Sequence, residues 1–123
     1  MNVNALIQEL ETVTGLDVSP DIYTGTDSSY IVYAYEDEVP SDQGDDEVLT
    51  DTAYLSVNLY TPPKLNYMAY KSQIKDYLES IGIVTSVRSY LDTFTSGGED
   101  AQIRHTVFEV EITISREKTE VIN

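Results

Sequence analysis

A chain of 123 residues with 41% hydrophobic side chains is long enough for one buried core and too apolar for wholesale disorder. It has no cysteine, which excludes a disulfide framework, thiolate metal sites and a cysteine nucleophile. Twenty-two acidic residues stand against seven basic ones, and a net charge of −15 opposes binding to nucleic acid and anionic membranes.

The charge is unevenly spread. Residues 1–63 hold 13 acids and no lysine or arginine, whereas residues 64–123 hold nine acids and seven bases. Solubility is the plain explanation of such a balance, and a specific role is the sharper one. The opening MNVNALIQELETV lacks the basic start and apolar run of a secretory signal. No stretch approaches the roughly 20 apolar residues that span a bilayer.

Taken in chain order, the sequence predicts a first helix from Asn2 or Asn4 to about Thr14. Val3, Leu6, Ile7, Leu10 and Val13 recur at three- and four-residue steps, and Gly15 is placed to stop the helix in the left-handed conformation. Residues 18–23 read as an extended connector, because Pro20 biases its predecessor away from helix. Tyr30 to Tyr35, a β-branched and aromatic run, predicts a strand. Residues 36–51 hold eight acids with Pro40 and Gly44 and predict a mobile acidic loop. Thr52 to Thr61 alternates, with Ala53, Leu55, Val57 and Leu59 on one face, and Pro62-Pro63 ends that strand. A second helix follows from about Asn66 to Ser80, its apolar stripe formed by Met68, Tyr70, Ile74, Tyr77, Leu78 and Ile81, with Gly82 as its stop. Ile83 to Phe94 and Ala101 to Glu117 read as an antiparallel pair joined by a turn over Ser96–Asp100. In the last strand Phe108, Val110, Ile112 and Ile114 alternate against Val107, Glu109, Glu111 and Thr113. The chain past Arg116 is expected to fray, leaving 1–116 as the core of one domain and 117–123 as a tail.

The fold class expected is therefore α+β and sandwich-like. A mostly antiparallel sheet of about four strands carries two helices on one face, with the acidic loop between the first two strands.

Catalytic chemistry finds little support in the residues. His105 is the one side chain whose ordinary titration range suits a base near neutrality, and an ordinary strand histidine is the plainer reading. Asp42, Asp45, Asp46, Glu47 and Asp51 are carboxylates of the kind that bind calcium, but the EF-hand register is missing and a solvated charge run is favoured. Gly97-Gly98 has no P-loop lysine after it, and the bases are too scattered for a nucleic-acid face. Ten tyrosines are unusual, and on an outward sheet face they suit an interface as well as simple β-propensity.

Several stretches share a family pattern: the helix LIQELETVTG, the strand YIVYAYEDE with its hydrophilic loop, and the strand ending Val57 to Thr61 (V-x-L-Y-T). The helix IKDYLESIGI and the final strand beginning His105-Thr-Val-Phe-Glu-Val complete it. Over about residues 1–116 the chain resembles the tail terminator, or tail-to-head joining, proteins of long-tailed bacteriophages. The resemblance implies a structural virion protein of the neck that is assembled in the host cytoplasm and forms a hexameric ring. That ring would cap the tail tube, stop its polymerisation and join tail to head. The implied partners are further copies of the chain, the tail tube protein and head–tail connector proteins. DNA passes through the lumen without specific binding, and no enzyme activity, cofactor, metal or membrane is implied. Glu36, Asp37, Glu38, Asp42, Asp45, Asp46, Glu47 and Asp51 become candidates for a lumen-facing or interface segment, on their charge. A head-closure or tail-completion protein is the near alternative. A DNA-mimic inhibitor is the alternative from another class, although its acids would be spread at phosphate-like spacing rather than gathered in one half.

Overall fold

The computed structural model describes residues 3–40 and 50–115. Helices α1 (Val3–Gln8) and α2 (Leu10–Thr14) lead into strands β1 (Asp17–Pro20), β2 (Tyr30–Pro40) and β3 (Thr50–Thr61). Helix α3 (Met68–Ile81) and strands β4 (Ile83–Ser96) and β5 (Glu99–Ser115) follow. The chain is thus mixed α/β, built on one five-stranded sheet in the order β1-β2-β3-β5-β4. Only β1 and β2 run parallel; the other pairs are antiparallel.

One face of the sheet holds the core. Ala53, Leu55, Val57 and Leu59 of β3 are fully buried, as the alternation predicts, beside Phe108, Val110 and Ile112 of β5. Ile7, Leu10, Ile74 and Leu78 bring the helices onto the same cluster. Two tyrosines fasten the helices: the Tyr33 hydroxyl meets Asn4 Oδ1 at 3.2 Å, and the Tyr77 hydroxyl donates to the Leu6 carbonyl at 2.6 Å. Buried Thr61 stands out, because among the described residues its hydroxyl finds no hydrogen-bond partner. Thr61→Val keeps the shape and removes that desolvated oxygen, so it is expected to raise stability by about 1 kcal/mol in urea unfolding.

Several local expectations are corrected. The first helix is interrupted at Glu9, whose ψ of −18° tightens the turn. Thr12 N–H and Val13 N–H both donate to the Glu9 carbonyl, a mixture of 3₁₀ and α bonding. Asn4 lies inside α1, which starts at Val3, and its Oδ1 is a partner of the Tyr33 hydroxyl. Gly15 stops α2 at φ 76°, with its N–H on the Glu11 carbonyl, as expected. At the start of α3, Asn66 Oδ1 does accept from Met68 N–H, although Met68 itself is exposed and outside the apolar stripe. Gly82 does not stop α3 by a left-handed turn, for its backbone is extended. Glycine is required there by space, since a Cβ would run into the Glu111 carbonyl oxygen where β4 starts against β5.

The sheet has a fifth strand where a connector was expected. Val18 is buried, and its backbone is held on the outer side by the helices: Gln8 Nε2 donates to its carbonyl and its N–H donates to Glu11 Oε2. These tertiary bonds make β1 and also close its outer edge. The acidic loop is shorter than expected. Glu36, Asp37 and Glu38 belong to β2 and Asp51 to β3, since backbone pairing continues as far as Pro40↔Asp51. A bulge between Tyr35 and Asp37 takes up Glu36 as the extra residue. Asp42, Asp45, Asp46 and Glu47 lie outside the described residues, as does the tail from 116 on.

The β4–β5 turn is also tighter than expected. Ser96 pairs with Glu99, leaving Gly97 and Gly98 alone in the loop at φ 62° and 83°, the two positive values of a type I′ hairpin.

Candidate interaction face

The helices cover one side of the sheet and leave the other free of them. The pleat sends Tyr60, Asn58, Ser56 and Tyr54 of β3 to that second side, opposite the buried alternates. Register then decides which side chains meet. Tyr30 is opposite Tyr60, Tyr60 opposite His105, and His105 opposite Tyr90, so one row of rings crosses β2, β3, β5 and β4.

The rings are in contact. Tyr30 and Tyr60 stack at 5.1 Å between centroids, and Tyr60 and His105 at 4.4 Å. Tyr90 tilts toward His105 at 6.1 Å. Tyr23, from the segment between β1 and β2, extends the row by stacking on Tyr30 at 4.0 Å. It is fixed by Asp17 Oδ2, which accepts from its hydroxyl, and by Asp27 N–H, which donates to the same oxygen. Aromatic pairs contribute about 0.5–1.5 kcal/mol each beyond area burial, so the row clamps four strands together. Burial pushes the Tyr60 phenol above its ordinary value, with Tyr30 and Asp92 adding to the rise, so its hydroxyl stays protonated across the physiological range.

His105 is held at both ring nitrogens. Its Nδ1 lies 3.2 Å from Asp92 Oδ2, and its Nε2 lies 2.8 Å from Asn58 Oδ1. The Asn58 amide is oriented by its own donor bonds to the Val32 carbonyl and Ser56 Oγ. Both ring nitrogens are thus engaged, Nδ1 on the exposed side and Nε2 on the more buried one. The geometry makes it a brace for the ring row. Elsewhere, an open groove is lined by Pro62, Pro63, Lys64, Thr93, Asp100 and Gln102.

Further along the same face two carboxyls meet. Glu36, displaced by the bulge, hydrogen-bonds Glu109 across the short side chain of Ser56 on the intervening strand. That bond, burial and the Glu36 charge together push the Glu109 carboxyl up to about 7, against a lowering pull from Arg88. The folded chain therefore holds this proton more tightly than the unfolded chain. The stabilisation is complete below the ordinary carboxylate range near pH 4.5 and is lost as pH rises through about 7. Glu109→Gln is expected to raise stability at pH 8 by about 0.5–1 kcal/mol, the cost of opposed like charges across strands. At pH 5, where Glu109 is protonated in the folded chain, the difference should shrink to near zero in urea unfolding.

The eight acids singled out from the sequence do not form one patch among the described residues. Glu36 and Asp37 are on the helix-free side, while Glu38 and Asp51 take the alternate positions near the ends of β2 and β3. Glu109, Asn58 and Tyr23 were not legible as members of a site, since each depends on a partner from a distant stretch of chain.

No protein-family model and no curated protein sequence matches this chain. Among solved structures it is similar to a chain from the virion of a native gene transfer agent particle, with 13% identity and a TM-score of 0.43. The likeness covers 91% of this chain and 92% of that one. Among the described residues no helix is long and apolar enough to cross a membrane.

Proposed function

We propose that the chain is a structural subunit of a phage-type virion neck, acting as a tail terminator that assembles into a ring and joins tail to head, without enzyme activity. The sequence resemblance supplies the family. The observation that carries assembly is the contrast between the two edges of the sheet. The β1 edge is closed at Val18 by Gln8 and Glu11. Among the described residues no strand pairs with the outer edge of β4, which runs for 14 residues and exposes Ile83, Tyr90, Leu91 and Phe94. Soluble proteins usually protect such an edge with charge, proline or a covering element, and β4 has only Arg88, Asp92 and a bulge near its start.

A contact in which the β4 edge of one copy meets a different surface of the next is heterologous, and it closes into a ring when the rotation between copies allows. The tail tube and connector proteins are the partners of the two ring faces in this reading, and the virion is its location. The far end of the β2–β3 hairpin, with Glu38 and Asp51, would then turn negative charge toward passing DNA; Glu36 is engaged with Glu109 instead. Multi-angle light scattering on the purified chain, over a range of concentrations, is expected to show a discrete closed assembly of about six copies. A strict monomer at every concentration, both alone and with tail tubes added, would rule the reading out. A head-closure protein would share the ring but bind the connector rather than the tube.

A further inference from the structure

A strained turn after β1 holds one apolar side chain out in solvent. Ile22 is 70% exposed, more than any other large apolar residue described. Its N–H donates to the Pro20 carbonyl at 2.6 Å across Asp21, whose φ is 62°. A positive φ under such a three-residue turn is the rare and strained form. Both flanks are fixed. Asp21 N–H donates to the Tyr33 carbonyl at 2.8 Å, and Tyr23 is stacked on Tyr30 and bonded to Asp17 and Asp27. The turn therefore presents Ile22 as a rigid knob, with little ordering entropy left to lose on binding.

A groove lies where β3 stops. Pairing of β3 with β5 ends at Thr61↔Arg104, whereas β4 and β5 pair on to Ser96↔Glu99, so their hairpin runs past its neighbour. Pro62, Pro63 and Lys64 line the groove from the end of β3, and Thr93, Gln102 and Asp100 line it from the hairpin. Its volume of about 590 Å³ is ample for an isoleucine side chain and the backbone beside it.

We infer that Ile22 of one copy of the chain seats in this groove of the next copy, with Asp21 beside Lys64. This contact rests on the ring reading of the chain, and it supplies the surface that meets the β4–β5 side. Charge selects a second copy as the occupant. Every lysine and arginine follows residue 63, so the knob is flanked by Asp17, Asp21 and Asp27 without a base in that half of the chain. At the groove, Lys64 has no carboxylate partner among the described residues. Arg104, two residues from Gln102 on the same face of β5, adds a second positive charge over the Tyr67 ring at 5.1 Å. Asp100 lies nearer the hairpin tip and accepts from the Thr95 hydroxyl at 3.2 Å. Nucleic acid and anionic membranes would be repelled by the aspartates around the knob. Ile22 follows β1 and Thr93 is on β4, four strand spacings or about 19 Å across the sheet, so a chain does not fill its own groove. Knob and groove are different surfaces of one chain, which makes the contact head-to-tail, the kind that closes into rings.

The test exploits the absence of cysteine from the chain. Ile22→Cys with Thr93→Cys puts one thiol on the knob and one at the groove, too far apart within a chain to be bridged. Mild oxidation, alone and with tail tubes added, is expected to give a ladder of disulfide-linked dimers, trimers and larger species on a non-reducing gel. Ile22→Cys with Glu79→Cys, on the exposed side of α3, should give no ladder. In parallel, Ile22→Ser is expected to keep the far-UV circular dichroism of wild type and to weaken assembly about tenfold or more in light scattering. Wild-type chains that assemble while the knob–groove pair gives no ladder would overturn the contact and leave the ring reading standing. So would assembly of Ile22→Ser as tight as wild type, dimers alone, or a ladder equally strong in the Glu79 control. Wild-type chains that stay monomeric, alone and with tail tubes, would remove the ring reading and this contact together.

Discussion

Replacing Phe108 with alanine is expected to cost about 3–5 kcal/mol of folding stability, the usual range for emptying a fully buried aromatic site. Phe108 is the largest fully buried side chain of the core. It stands on β5 between Val57 of β3 and Val87 of β4, in the cluster that also takes in Ile74 and Leu78 of α3. Neighbours on three elements cannot all collapse into the space, so the lost transfer energy and the cavity add. A domain of this size has about 5–15 kcal/mol in total, so the variant should be folded at low temperature and largely unfolded well below the wild-type midpoint. Val107→Ala, one residue away on the opposite face, should cost about 1 kcal/mol or less. Urea unfolding with an unchanged slope measures both. A similar loss for the two variants would mean that the face assignment of β5 is wrong.

The second large effect concerns the edge. Leu91 and Phe94 are each nearly half exposed on β4, beyond the part of the sheet the helices cover. Changing both to lysine leaves the core untouched, so the monomer should lose no more than about 0.5 kcal/mol at either position. The same change puts two desolvated charges into any contact made along that edge, the protection that natural edge strands use against pairing. If copies join there, the dissociation constant of the assembly should rise by at least about a hundredfold, about 2.8 kcal/mol. Light scattering against concentration reads this directly. An assembly as tight as wild type would move the subunit contact elsewhere on the molecule.

Much of the fold was legible because the physics is local or strictly periodic. The alternation over Thr52–Thr61 marks a strand with one buried face whatever it pairs with, and all four aliphatic residues are buried. Gly15 and Gly97-Gly98 stand at positive φ, where their residue type already points. What escaped depends on partners distant in sequence. β1 exists because Gln8 and Glu11 reach its backbone, so its own Asp-Val-Ser-Pro gives little sign of it. Glu36 to Glu38 read as loop because charge is rare in strands, yet β3 pairs with Asp37 and Glu38, a bulge takes up Glu36, and all three residues remain exposed. Gly82 had the expected residue and a different reason, since its need is room against Glu111.

The candidate face was legible only in part. The tyrosines of β2 and β3 were visible as outward-facing possibilities, and Tyr33 turned out to point the other way, into the helix side. The row itself appears only when register sets Tyr30, Tyr60, His105 and Tyr90 side by side. The carboxyl pair needs one step more, because the bulge at Glu36 breaks the alternation that would have assigned its side.

The central claim is that the open edge of β4 is where this chain assembles. Hydrogen exchange of the backbone amides, compared between the assembled species and the monomeric lysine variant, tests it most directly. The account predicts new protection over Ile83–Ser96, joined by protection on whichever second surface receives that edge in the ring, with the already closed β1 strand unchanged. An assembly in which β4 exchanges as fast as in the monomer, while another surface gains protection, would contradict it.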